Sequence, residues 1–187
     1  MEWTLPEIRR AIVHASHELH RRGWVANHDG NISMRIPGNR ILITPTALSK
    51  GDISEVDLVE VNLSGKKISG TRNAPSELAL HLAIYESRSD VRAVMHAHPP
   101  ASVAHSIAGI EIPTTMMPEP IVSIGDRIPM VPFSPPGSAE LRSAIQSAIR
   151  EASCLLLEHH GPLVAGTTLE MARLRMELVE HLAIIHE

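Results

Sequence analysis

Cysteine occurs once in the 187 residues, as Cys154, so no disulfide can form within the chain. That usage fits a reducing compartment. Cys154 sits in Ser-Cys-Leu-Leu-Leu and reads as a small core residue, not a nucleophile. Aromatic residues are nearly as scarce: Trp3, Trp24, Tyr85 and Phe133 are the full set. Four rings are too few for a base-stacking platform on nucleic acid. Positive charge is also short. Seventeen Lys and Arg against 21 Asp and Glu leave a net charge of -4, which draws the chain to neither nucleic acid nor an anionic membrane. No apolar run approaches the roughly 18 residues of a membrane span. The opening Met-Glu-Trp-Thr-Leu-Pro-Glu lacks the basic and apolar parts of a signal peptide, so a cytoplasmic location is expected.

What is present suits one globular α/β domain over residues 1–187, with 43% apolar and 20% charged residues. Thr4-Leu-Pro-Glu7 has the form of a capping box, followed by Leu5, Ile8, Ile12, Ala15 and Leu19 at helical spacing and by Gly23 as a stop. Residues 32–36 and 40–44 read as strands around the turn Pro37-Gly38-Asn39. Residues 56–63 and 66–69 read as two more. Strands joined by short turns predict a mainly antiparallel sheet. A second helix opens at Asn73-Ala-Pro-Ser-Glu77, with Glu77 in its first turn, where the helix dipole favours a carboxylate. After an apolar strand at 91–95, a helix is expected over 99–108. Residues 111–129 show no clear period, and a strand is expected near 128–133. A helix from Ser138, a strand at 154–157, a short return at 163–165 and a last helix from Leu169 complete the chain.

Twelve histidines are present, and their placement carries the functional reading. His96 and His98 leave the end of the strand at 91–95. Residues i and i+2 share one side of a strand, so the two imidazoles form a ready pair of metal ligands. His159-His160-Gly161 likewise follows a buried strand. Three histidines with one carboxylate satisfy a tetrahedral zinc site, or three ligands with one open position. His14, His17 and His20 recur on the first helix without a carboxylate or cysteine to organise them and read as surface or interface residues.

The segments Gly30-Asn-Ile-Ser33, Ile43-Thr-Pro-Thr46, Pro75-Ser-Glu77, His96-Ala-His98 and His159-His-Gly161 occur in an order that resembles the class II aldolase/adducin family. The resemblance implies a three-layer α/β/α fold with a mainly antiparallel central sheet. It also implies a divalent metal, Zn2+ or alternatively Mn2+, Co2+ or Fe2+, on His96, His98 and His160. His160 is the expected ligand in place of His159 because the glycine follows it. Glu77 would be the acid/base, and its being Glu favours carbon–carbon bond chemistry over epimerisation. Asn31, Thr46 and Ser76 match the family's phosphate-binding positions. The implied activity is a metal-dependent aldolase of the L-fuculose-phosphate type, acting on a small ketose phosphate to give dihydroxyacetone phosphate and an aldehyde, in a homotetramer with sites at subunit interfaces. Three departures stand out. Ala47 occupies a position where glycine is favoured, Pro75 one where serine is favoured, and the family's tyrosine acid falls near Met117. Glu119 lies near the catalytic acid of the family's methylthioribulose-1-phosphate dehydratases, so a dehydratase is the second enzymatic expectation. A non-catalytic adducin-like scaffold is the third.

Overall fold

The computed structural model describes residues 3–187. Helix α1 (Leu5–Arg21) starts as the capping box predicts: the Glu7 carboxylate accepts from both the amide and the hydroxyl of Thr4, each at 2.7 Å. Strands β1 (Asn31–Ile36) and β2 (Arg40–Ile43) form a hairpin, followed by β3 (Val59–Asn62) and β4 (Lys67–Ser69). Helix α2 (Leu78–Ser87) leads to β5 (Ala93–His96) and α3 (Pro100–Ala108). Then come α4 (Pro118–Ser123), β6 (Met130–Val131), α5 (Ala139–Ala148), β7 (Cys154–Leu157), β8 (Gly161–Gly166) and α6 (Leu169–His186).

The eight strands form one sheet in the order β4-β3-β2-β1-β5-β8-β7-β6. Every pairing is antiparallel except β6 with β7. The two-residue alternation of each strand divides the core. On one face Ile32, Met34, Ala93, Met95, Leu156 and Val164 pack with Ile12 and Leu19 of α1 and Met176 and Val179 of α6. On the other, Ile41, Val61, Val94, Leu155 and Leu163 pack with Leu80 and Ile84 of α2 and Ile145 of α5. Burying each such side chain contributes about 1.5–3 kcal/mol, and the two cores hold helices on both faces of the sheet. This is the three-layer α/β/α arrangement expected from the sequence.

Two segments differ from expectation. Residues 56–63 do not run as one strand: Glu55–Asp57 form a 3-10 turn because the Ser54 amide and hydroxyl donate to Asp57, at 2.9 and 2.6 Å. The passage without clear period contains α4. Pro118 stands at its start after extended Met117, and the Ser123 carbonyl at its end accepts from Arg175 at 2.9 Å. No helix among the described residues is long and apolar enough to cross a membrane.

Candidate metal centre

Strand β5 ends at His96, with Asn31 of β1 and Leu163 of β8 as its direct partners. Alternation then turns Ala97 into the α1/α6 core and returns His98 to the side of His96. Two glycines let the neighbouring chain close on this strand end. A Cβ on Gly30 would lie 2.9 Å from the His96 carbonyl oxygen, and one on Gly161 would lie 2.9 Å from that of Ala97. Gly30 thereby brings Asn31 alongside, and Gly161 brings His160. In the turn between β7 and β8, His159 adopts a left-handed φ of 57° and is exposed. His160 turns inward.

The imidazoles converge. Nε2 of His96 lies 3.0 Å from Nε2 of His98 and 3.2 Å from Nε2 of His160. Glu77 joins them through Oε1, 3.0 Å from His160 Nε2 and 3.5 Å from His96 Nε2. One donor atom from each of the four residues lies within 4.8 Å of all the others. Nδ1 of His96 faces the Pro162 carbonyl at 2.9 Å and must carry the proton there, which leaves Nε2 as the lone-pair nitrogen. A bare His96 Nε2 faced this closely by two more imidazole nitrogens and a carboxylate oxygen is an arrangement that a shared cation satisfies. The edge of a tetrahedral zinc–histidine site is about 3.4 Å for Zn–N distances of about 2.0–2.1 Å. The separations observed are close to that value, and the donor set fits a divalent metal.

The electrostatics favour the same species. Burial strips His96 and His98 of water and lowers both, so they are held neutral, as ligands must be. Burial alone would raise the Glu77 carboxyl. The neighbouring His96 and His160, together with hydrogen bonds from His160 and Asn31, instead hold it well below the usual carboxylate range. Glu77 is therefore ionised. It occupies the N-cap position of α2 rather than its first turn, and it makes no cap hydrogen bond. Its carboxylate is committed to the histidines and to Asn31.

The other residues singled out in the sequence lie as follows. The Asn31 amide donates to Glu77 Oε2 at 2.6 Å and its carbonyl faces His81 Nε2 at 2.5 Å. Thr46 is half-buried in the loop after β2, its amide bonded to the Asn73 carbonyl at 3.0 Å. Ser76 is exposed and lines a cavity of about 240 Å³ with Glu77, His160, Leu80, Pro132 and Phe133. Glu119 is exposed on α4 and is not among the four clustered residues. Tyr85 is buried beneath Ser33, 2.9 Å from its hydroxyl.

Three polar residues near the centre were not singled out by sequence reasoning. His81 is fully buried, with Ser33 Oγ 2.7 Å from its Nδ1. Lys50 is 1% exposed, its ammonium bonded to the carbonyls of His28 and Leu48 at 3.0 and 3.3 Å. Asp29 Oδ2 lies 3.6 Å from Nδ1 of His98. The available signal for His81 was a lone imidazole in the apolar run Leu-Ala-Leu-His-Leu-Ala-Ile.

Known proteins resemble this chain along most of its length. The family model described as Class II Aldolase and Adducin N-terminal domain matches residues 10–186. A 5-methylthioribulose-1-phosphate/5-deoxyribulose-1-phosphate aldolase of Escherichia coli is 34% identical over 88% of this chain and 76% of its own. An L-fuculose phosphate aldolase of Methanococcus maripaludis is 33% identical over 89% of each chain. A 3-oxo-tetronate 4-phosphate decarboxylase of Pectobacterium atrosepticum is 30% identical over 94% of this chain and 81% of its own. Among solved structures, YgbL of Klebsiella pneumoniae superposes with a TM-score of 0.91 at 28% identity, covering 98% of this chain and 90% of the other. The family model spans nearly the whole of this chain, and the chain belongs to the class II aldolase and adducin N-terminal domain family.

Proposed function

We propose that this protein is a divalent-metal-dependent class II aldolase, a lyase that cleaves or forms a carbon–carbon bond in a small ketose phosphate. The observation that carries the reading is the shared Glu77 carboxylate: Oε1 faces His160 and His96, while Oε2 is held by Asn31. His96, His98 and His160 would hold the metal, and Glu77 is placed to complete the set when no substrate is present. When bound, a divalent ion supplies Lewis acidity toward the ketose carbonyl and its neighbouring hydroxyl. Glu77 handles the proton at the carbon beside that carbonyl, removing it in synthesis and returning it in cleavage. Thr46 and Ser76 are the small hydroxyl donors for the phosphate, and Asn31 stands behind Glu77 with its amide held by Glu77 and His81. The products of cleavage are dihydroxyacetone phosphate and an aldehyde.

The cavity beside Glu77 and His160, walled by Leu80, Val131, Pro132 and Phe133, suits an aldehyde with a short apolar end. Exposed Ile107, Ile110, Ile121, Val122, Ile184 and Ile185 support assembly of copies, in keeping with a homotetramer.

A second reading is decarboxylation of a 3-oxo sugar-acid phosphate, favoured by the Pectobacterium relative at 30% identity. Loss of carbon dioxide leaves the same carbanion beside a carbonyl, and a proton taken up from water would reach that carbon through Glu77. The dehydratase reading requires Glu119 in the site, and its exposed position on α4 gives that reading less support.

The test is mass-spectrometric product analysis after metal-loaded protein meets a panel of ketose 1-phosphates and 3-oxo-tetronate 4-phosphate. Dihydroxyacetone phosphate with an aldehyde establishes the aldolase. Release of carbon dioxide replaces it with the decarboxylase, and a product lighter by one water with the dehydratase. A protein that binds no divalent metal after reconstitution would return the scaffold reading.

A further inference from the structure

Behind Glu77 a line of buried side chains runs from the metal centre into the α2 side of the sheet. Asn31 Nδ2 lies 2.6 Å from Glu77 Oε2, and Asn31 Oδ1 lies 2.5 Å from His81 Nε2. His81 Nδ1 lies 2.7 Å from Ser33 Oγ, and Ser33 Oγ lies 2.9 Å from Tyr85 Oη. Asn31 and Ser33 alternate onto one face of β1, and His81 and Tyr85 stand one helical turn apart on α2. His81 is 0% exposed, Ser33 0%, Asn31 2% and Tyr85 3%, so no water competes for these groups.

Elimination sets the direction of every proton in this line. Asn31 gives its NH2 to Glu77 Oε2 and turns its carbonyl to His81 Nε2. A carbonyl only accepts, so His81 must carry a proton on Nε2. Burial pushes the His81 imidazolium down to about 4, so the ring is neutral and Nδ1 is a bare lone pair. Ser33 must then donate its hydroxyl proton to Nδ1. Its remaining lone pairs receive the Tyr85 hydroxyl, which burial keeps protonated. Tyr85, Ser33, His81 and Asn31 thus each donate one step nearer to Glu77.

We infer that His81 is a positioning residue for Glu77: by holding a proton on Nε2, it locks the Asn31 amide with its NH2 toward the carboxylate, and Ser33 and Tyr85 fix the His81 tautomer from behind. Without this line the Asn31 amide is free to flip and set its carbonyl oxygen against Glu77 Oε2, acceptor against acceptor, which would rotate Oε1 away from His160 and His96. The inference rests on reading Glu77 as the group that handles the substrate proton, but the polarity of the line is measurable without any substrate.

The first experiment is therefore nitrogen NMR on zinc-loaded protein carrying 15N-labelled histidine, with His81 assigned by its loss in His81→Gln. A protonated-type shift at Nε2 and a bare-nitrogen shift at Nδ1 are expected. A proton on Nδ1, or on both nitrogens, would overturn the inference whatever reaction the protein catalyses. The second experiment compares two variants on the substrate found by the product panel. Outer-shell partners of a metal site typically count for about 10–100-fold in activity or affinity. His81→Leu should accordingly lower kcat about 10–100-fold, with KM within about twofold and full metal content. His81→Gln restores an N–H donor toward Asn31 and should recover kcat to within about threefold of the parent. Parent-like kcat in His81→Leu, or equal losses in both variants at equal folded fraction, would overturn it. Should His81→Leu fail to fold, the tautomer and His81→Gln decide. Absence of turnover in the parent would count against the aldolase reading, and the tautomer would still decide the polarity of the line.

Discussion

Asn31 and His96 are direct cross-strand partners where β1 meets β5, so the amide that grips Glu77 stands beside the most deeply buried imidazole of the centre. This one point of register joins the carboxylate arm from α2 to the histidines from β5. A slip of one residue would turn Asn31 and Ser33 into the α1 face and leave Glu77 without its donor.

Removing one imidazole should cripple metal binding, whereas changing the carboxylate should spare it. His98→Ala is expected to weaken zinc at least about 100-fold in titration calorimetry, because it removes one of three imidazoles already converged on one point. Glu77→Gln should retain much of the metal and lose about 10²–10⁴ in kcat, the usual weight of a general acid/base. A fully active Glu77→Gln enzyme would remove the role given to that residue.

Substrate choice should follow the apolar cavity beside His160. A ketose 1-phosphate ending in a methyl group should be cleaved with a kcat/KM about tenfold above its hydroxylated analogue, because an unpaired buried hydroxyl costs about 1–3 kcal/mol. Steady-state kinetics on 5-deoxyribulose 1-phosphate against ribulose 1-phosphate would measure it, and a preference for the hydroxylated sugar would contradict the assignment.

Lys50 makes stability depend on pH in a defined direction. Burial lowers its ammonium to about 8, against the upward pull of Asp29 and Glu77. Between that value and the ordinary lysine range of about 10.4, the unfolded chain holds the proton and the folded chain does not. Stability therefore rises with pH across that window, and the cost of the buried charge is fully present below it. Urea melts of the parent relative to Lys50→Met should show the parent gaining up to about 3 kcal/mol between pH 8 and pH 10.5.

Ala47 has a φ of 55°, a left-handed conformation that costs an L-residue roughly 1–2 kcal/mol. Glycine takes it without that strain but loses more chain entropy on folding. Ala47→Gly should therefore raise stability by about 0.5 kcal/mol in denaturant titrations, a net of those opposing effects.

Glu180 of α6 accepts from the amides of Ala101 and Ser102 and from the Ser102 hydroxyl, at 3.0, 2.8 and 2.6 Å. These bonds pin the first turn of α3, which begins two residues after His98. Glu180→Ala should cost about 2–3 kcal/mol because it strands three buried donors. Thermal melts would show it, and Glu180→Gln should recover part of the loss.

Local chemistry made several elements readable. The Thr4/Glu7 box started α1, the Pro37-Gly38 turn joined β1 to β2, and the apolar runs before His96 and His159 proved to be β5 and β7. Helix α4 was not readable because its six residues, Pro118 and Pro120 among them, are too few to carry a period. The 3-10 turn at Glu55–Asp57 was hidden because its signal, Ser54 to Asp57, lies at the edge of a strand-like run.

The amino-acid sequence by itself determined which chemistry was available: histidines two apart at a strand end, another before Gly161, and a carboxylate ahead of an apolar helix. It also determined the two-faced strands that require helices on both sides of the sheet, since alternation and helical period are local properties of the chain. Only the tertiary structure decided that His96, His98, His160 and Glu77 share one point in space while His159 stands outside the cluster, and that Asn31, His81, Ser33 and Tyr85 form a directed line behind the carboxylate. The physical reason is that those contacts depend on strand order, on register and on the seating of α2 against β1. Long-range packing sets all three, and no stretch of neighbouring residues encodes them alone.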